Sequence, residues 1–311
     1  MYCRNLLLVL FCGLLFKATN GTTTTHIQRS EYEDNGVYPY KEHSLVKTFD
    51  NMQNWETTGE TSVKPQFIRL TPDEPHRNGG IWNKLPINFP NWEVQLEFKI
   101  SGKGRGNLHG NGLAFWYVRN PMARGDVFGS ADFFHGLGVF MDTYVTRRYG
   151  PDYPYISAMV NNGTFSYDNT RDGKPTELAG CKSNFRSSVY RTAISIRYYH
   201  GVLLVRTDVD QRNLWSLCFA TRVHLPVGLY IGVTAATGEL SDNHDILELK
   251  TYRLDYPPPT TRDDTNVIVV LPKNDSFAII GRPFFSWHNI NLYMFIFGLY
   301  IMFNISKIYY L

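Results

Sequence analysis

The sequence predicts an all-β sandwich, and three observations carry that reading. Aromatic residues make up 15% of the chain and include 20 Tyr, a composition suited to pleated, half-buried surfaces. Between residues 43 and 254 the apolar runs are short and separated by Gly, Pro and Asn turn signals. None of them sustains the helical period. A chain of 311 residues accommodates one large β domain with appendages. The formal charge of +3 is spread without a basic block, which argues against a nucleic-acid partner.

Taken in order, residues 1–21 place Arg4 and Asn5 before an apolar run at 6–16 and close on Lys17, Ala18, Thr19, Asn20 and Gly21. That is the layout of a secretory signal with small residues near the cut. The run is well short of the ~20 apolar residues of a spanning helix, which disfavours an uncleaved anchor. Cleavage removes Cys3 and Cys12 and leaves Cys181 and Cys218 in an oxidising compartment, where a pair is expected to bridge. Residues 22–42 are polar, Thr-rich and charge-mixed, and read as a loose leader.

The domain proper is expected at 43–254. Its clearest strand is 92–100, with Trp92, Val94, Leu96, Phe98 and Ile100 on one face and Glu93, Gln95, Glu97 and Lys99 on the other, a polar face expected in water. Further strands are expected at 67–70, 156–160, 192–199, 201–208, 228–235 and 246–253, with a hairpin at Tyr199-His200-Gly201. The apolar runs 113–118 and 137–141 are too short for helices and read as buried strands. Asn111 enters the first and Asp142 leaves the second. An amide and a carboxylate beside a Gly-rich loop suit a cation or a polyol, although strand-end Asp and Asn more often only form turns. His109, His135, His200, His224 and His244 stand singly, without zinc-type spacing, and read as turn or surface residues.

An enzyme reading finds little support. Glycoside hydrolases need two carboxyl groups roughly 5–9.5 Å apart, whereas Glu93 and Glu97, the tempting pair on one strand face, are ~13 Å apart along a strand. They read as a solvated face. No activated nucleophile, phosphate loop or nicotinamide fingerprint appears.

Beyond the domain, 255–283 is Pro-bounded and poorly patterned and reads as a luminal stalk. Residues 284–304 read as a transmembrane helix, with an interfacial segment as the alternative. Their uninterrupted apolar part, 292–303, reaches only ~18 Å at helical rise against a hydrocarbon core of ~30 Å, a shortfall that a thinner early-secretory bilayer tolerates better. Phe284, Phe285 and Trp287 suit an interfacial belt. Residues 305–311 then form a short cytosolic tail without paired basic residues.

Residues 43–254 resemble the L-type lectins of the animal early secretory pathway, in particular the vesicular integral membrane lectins, relatives of the legume lectins. The matching phrases are LTPDE at 70–74, GIWN at 80–83, NLHGNGLAFWY at 107–117, VFGS at 127–130, YPYISAMVNNG at 153–163, DGKPTELAGC at 172–181 and TGELSDNHDI at 237–246. The resemblance implies a two-sheet jelly-roll sandwich of the legume-lectin, concanavalin-like kind. It also implies a luminal domain with a C-terminal transmembrane helix, a Cys181–Cys218 bridge, and calcium-dependent binding of high-mannose N-glycans.

The resemblance also implies a site, and the sequence departs from it in places. The calcium ligands fall at Asp142, the carbonyl of Tyr144, Thr146 and Asp172, with Thr146 standing where the family has Asn. Calcium affinity depends heavily on carboxylate count, so a weakened site is expected rather than none. On the sugar side Asn111 replaces an Asp, Asn169 a His, His76 a Ser, and Glu239 an Asp between Gly238 and Leu240. A hydrogen bond to a charged acceptor is worth ~1.5–3 kcal/mol, against ~4 kcal/mol in total for a millimolar monosaccharide site. Asn111 therefore weakens mannose recognition, while still able to accept one proton and donate another.

Two functional expectations follow. The first is a luminal cargo receptor cycling between endoplasmic reticulum and Golgi, recognising high-mannose N-glycans on secretory glycoproteins. The second is a degenerate lectin-like module with weakened or lost calcium and mannose binding that recruits clients through its protein surface. Asn162, in Asn-Gly-Thr, is the expected glycan acceptor, with weaker candidates at Asn20 and Asn274; Asn304 falls in or past the membrane.

Overall fold

The computed structural model describes residues 27–28, 39–104, 109–144, 154–186 and 189–254. In chain order the strands are β1 (Ile27–Gln28), β2 (Trp55–Gly59), β3 (Ser62–Val63), β4 (Ile68–Thr71), β5 (Asn78–Asn83), β6 (Trp92–Ser101), β7 (Gly112–Val118) and β8 (His135–Asp142). They continue with β9 (Tyr155–Asn162), β10 (Ala179–Lys182), β11 (Thr192–Tyr199), β12 (Val202–Asp208), β13 (Leu214–Arg222), β14 (Tyr230–Ala236) and β15 (Asn243–Arg253). Helical pieces among the described residues are 3-10 turns of three residues each.

Two antiparallel sheets result. One has eight strands in the order β1-β13-β12-β11-β6-β15-β4-β3, the other seven in the order β10-β9-β8-β7-β14-β5-β2. Neighbours in a sheet are often far apart in sequence, as with β14 between β7 and β5, so loops from distant segments gather at the same sheet end. Within the segment 22–42, Ile27–Gln28 pairs with β13 and Lys41–His43 forms a 3-10 turn. The signal, the stalk and the segment 284–304 lie outside the described residues. Among the described residues no helix is long and apolar enough to cross a membrane.

The main core fills the space between the sheets, and strand alternation explains its membership. Leu113, Phe115 and Tyr117 of β7 and Leu137, Val139 and Met141 of β8 point inward with Trp92, Val94, Leu96, Phe98 and Ile100 of β6. The opposite face of β7 is also dry. Ala114, Trp116 and Val118 pack with Phe140 under Val127, Phe128, Phe134 and Tyr167, so residues 119–134 fold back over the seven-stranded sheet. This second layer explains why β7 reads as a continuous apolar run. The hairpin at His200-Gly201 forms as expected: Tyr199 pairs with Val202, and the two loop residues have φ of 46° and 76°, the left-handed pair of a two-residue β-turn.

Two sequence expectations are corrected. The polar face of β6 is not solvated: Glu93 is 0% and Glu97 5% exposed. Glu93 accepts hydrogen bonds from Gln95 Nε2 at 2.9 Å, Ser195 Oγ at 2.8 Å and Arg206 Nη2 at 3.2 Å, and Arg191 reaches Glu97 at 3.1 Å. β6 lies inside its sheet between β11 and β15, so long side chains from other strands cover it. His244 is not a surface residue either. It is fully buried in β15, with Nδ1 2.7 Å from the hydroxyl of Thr71, and burial lowers its pKa to about 3.

Candidate functional site

The site grows from the ends of β7 and β8. Gly112 pairs with Asp142 across the two strands. The backbone of Asn111 is held on both sides, its N–H donating to Ala236 O at 3.1 Å and its carbonyl accepting from Thr143 N at 3.0 Å. Gly112 has φ of 135°, and a Cβ there would lie 2.2 Å from Met141 O. Only glycine lets the chain pass this closely into the sheet. The Gly110–Asn111 peptide bond is cis.

Asp142 forms the floor. It is 8% exposed, its Oδ1 accepts from Tyr144 N at 2.8 Å, and it takes part in no ion pair among the described residues. Asp172 comes from the far side, in the left-handed position that ends the 3-10 turn Asn169–Arg171. The Asp168 side chain starts that turn by accepting from Thr170 N and Arg171 N. Burial first, and then the negative charge of Asp172, push the Asp142 carboxyl well above the usual carboxylate range. The same burial and the same two carboxylates raise the phenol of Tyr167, which packs with its ring centroid 4.8 Å from that of Phe140.

The rim is built by the loops after β4 and β14. His76 N–H donates to Gly238 O at 3.0 Å, and Gly238 N–H to Leu240 O at 3.1 Å. Thr237 locks the loops together: its hydroxyl donates to Glu74 O at 2.6 Å and accepts from Arg77 N at 2.9 Å. At the exposed lip the His76 Nε2 lies 3.3 Å from Glu239 Oε1. A Cβ on Gly238 would approach Asn111 Oδ1 to 3.2 Å, so this loop borders the Asn111 side chain directly.

These parts enclose one cleft of about 520 Å³, lined among others by His76, Asn111, Asp142, Tyr144, Asn169 and Asp172. The structure therefore gathers the expected residues that it describes, with Gly238, Glu239 and Leu240 on the lip; Thr146 lies outside the described residues. Asp126, Phe128, Tyr167, Arg77 and Thr237 also belong to the lining or its framework, and the sequence reading missed them. Asp126 and Phe128 sit on the segment that folds back over the sheet, and VFGS was the only signal pointing there. The donor set fits a hard divalent cation. A buried carboxylate without a cationic partner, beside a second carboxylate and neutral oxygens, is costly alone and is relieved by such an ion. Cys181 of β10 and Cys218 of β13 are bridged, with Cα atoms 5.3 Å apart, tying one sheet to the other.

Comparison with known proteins agrees with this geometry. Residues 30–259 match the legume-like lectin family. The vesicular integral-membrane protein VIP36 of Homo sapiens is 45% identical over 232 residues, covering 71% of this chain and 64% of that protein. The match thus spans less than two thirds of that relative's length. The VIP36-like protein of Homo sapiens is 42% identical over 250 residues, covering 78% of this chain and 72% of its own. The crystal structure of the VIP36 exoplasmic/lumenal domain in its Ca2+/Man3GlcNAc-bound form is 44% identical with a TM-score of 0.67, covering 72% of this chain and 96% of that one. A match over most of the chain, on a two-sheet sandwich of the same architecture, means that this chain belongs to the legume-like lectin family.

Proposed function

We propose that the chain is a membrane-anchored lectin of the early secretory pathway that binds high-mannose N-glycans on client glycoproteins and carries them between endoplasmic reticulum and Golgi. One observation carries this: Asp142, Asp172, Asn111 and the Gly238–Leu240 lip surround a single cleft, in a domain similar to one solved with calcium and a mannose oligosaccharide. Asp142, Asp172, the Tyr144 carbonyl and Thr146 would hold calcium, which supplies positive charge between the two carboxylates. Asn111, Asn169, His76 and the lip would then meet sugar hydroxyls. The activity is binding without catalysis, and Glu93 and Glu97, both buried and each paired with an arginine, are not free to act as an acid–base pair.

The topology we propose is a cleaved signal at 1–21, a luminal domain, a stalk at 255–283, a spanning helix at 284–304 and a cytosolic tail at 305–311, with Asn162 glycosylated. A second reading, a lectin-like module that has lost much of its calcium and mannose affinity, is favoured by Thr146 and Asn111 in place of stronger ligands. A glycan array probed with the full chain in calcium and in chelator decides between them. Calcium-dependent binding to high-mannose structures supports the first reading; equal signals in both conditions, or none, support the second.

A further inference from the structure

At the end of the seven-stranded sheet away from the cleft, two phenylalanines stand in water. Phe133 is 53% and Phe165 57% exposed, and neither ring contacts another aromatic ring among the described residues. Isolated exposed side chains are ordinary, but this pair is held in place. Asp132 joins the two loops that carry it: Oδ1 accepts from Tyr167 N at 2.9 Å and from Phe133 N at 2.8 Å, and Oδ2 accepts from the Ser166 hydroxyl. Phe133 has φ of 52°, a left-handed conformation that costs a bulky side chain energy and persists only where its surroundings impose it.

The Asn-Gly-Thr acceptor lies at the same end of β8 and β9 as the two phenylalanines. β8 and β9 end their pairing at His135 and Asn162, so Phe133 precedes and Phe165 follows the same rung of the ladder. Asn162 is exposed. Its Oδ1 accepts from Thr164 N at 3.2 Å and from the Thr164 hydroxyl at 2.6 Å, while its Nδ2, the atom that would be glycosylated, donates to no described residue. Gly163, with φ of 89°, turns the chain against the His135 ring, which a Cβ would meet at 2.2 Å. The acceptor amide and Phe165 thus stand on one turn, and Phe133 on the neighbouring loop that Asp132 ties to it.

We propose that the innermost N-acetylglucosamine residues of an Asn162-linked glycan lie on the Phe133 and Phe165 rings and cover them. Sugar C–H faces are apolar and pack on aromatic faces, while the hydroxyls stay in water; burying the two rings removes apolar surface that is otherwise exposed. The occupant is this chain's own glycan, because the acceptor nitrogen sits on the turn that carries Phe165, beside the loop that carries Phe133, and loses little entropy in reaching them. The inference rests on the luminal placement proposed above but not on the cleft, which lies at the other end of β7 and β8.

The test uses the full chain produced in a eukaryotic secretory system. Peptide mass spectrometry first reads occupancy of Asn162. The wild type and the double variant Phe133→Ser with Phe165→Ser are then compared with the glycan intact and after its enzymatic removal, by thermal unfolding and by hydroxyl-radical labelling of the phenylalanines. Removal is expected to lower the wild-type Tm by about 2–4 °C and to raise labelling of both rings several-fold, and to leave the Tm of the double variant unchanged. An equal Tm change in both backgrounds, or labelling that does not respond to the glycan, overturns the proposal while leaving Asn162 as an acceptor. An unoccupied Asn162 overturns both and leaves the lectin reading untouched.

Discussion

Asn111 enters β7 and Asp142 closes β8 at adjoining positions of the ladder: the residue after Asn111 pairs with Asp142, and Asn111 O accepts from the N–H of the residue after Asp142 at 3.0 Å. If the chain holds calcium as proposed, a cation at Asp142 stiffens the backbone that presents Asn111, and calcium and glycan affinity are expected to be coupled through this link.

From that coupling, Asn111→Asp and Thr146→Asn are each expected to strengthen calcium-dependent mannose binding, and the double variant to exceed the product of the single effects. Restoring a charged acceptor at position 111 is worth ~1.5–3 kcal/mol, or about 10- to 150-fold. Asp142→Asn should abolish the calcium response. Titration calorimetry with and without chelator measures all four; additive effects of the first two changes would show that the cation does not organise Asn111.

His244 makes stability pH-dependent. Its pKa is lowered to about 3 in the folded chain, below the ordinary value of ~6.5. Between these values the unfolded chain binds more protons, so folding is favoured at and above pH ~6.5 and loses about 1.4 kcal/mol per pH unit on acidification below it. Denaturant unfolding at pH 6.5 and pH 5 is expected to show the wild type losing about 2 kcal/mol more than His244→Gln. Parallel losses in the two proteins would rule this out.

Glu93 and Arg206 form an ion pair, with side chains 0% and 6% exposed. Removing one partner leaves the other charge uncompensated, so Glu93→Ala is expected to cost ~3–5 kcal/mol, and Glu93→Gln combined with Arg206→Met to recover much of that. Equilibrium denaturation of the three proteins reads the difference. A loss below ~1 kcal/mol for Glu93→Ala would mean that water reaches the pair.

The Cys181–Cys218 bridge spans a sequence separation of 37 and is expected to contribute on the order of 3–4 kcal/mol. Replacing both cysteines by Ser should lower the denaturation free energy by that amount without changing the strand content seen by circular dichroism.

Much was legible in the sequence because strands announce themselves through period-two alternation. The run 92–100 located β6 and its inward face, the Tyr-His-Gly junction located the β11–β12 turn, and Asn111 and Asp142 at the ends of apolar runs located the cleft. β5, with Gly79 and Gly80, was not expected as a strand. A Cβ on Gly79 would stand 2.0 Å from Leu70 O of β4 in the other sheet, so glycine there serves a close approach between β5 and β4, a property of the fold and not of the segment.

The sequence by itself determined which residues are oxygen donors, which strands they end, and that the chain is a sandwich. Only the tertiary structure decided solvation and neighbourhood. Whether the polar face of β6 is wet depends on Arg206 and Ser195, more than 100 residues away in sequence. His76, Asn111, Asp172 and Gly238 likewise meet because strand order in the sheets departs from chain order. Local pattern fixes a residue's polarity and the face it occupies; the dielectric around it and the charge beside it are set by segments that only the fold brings there.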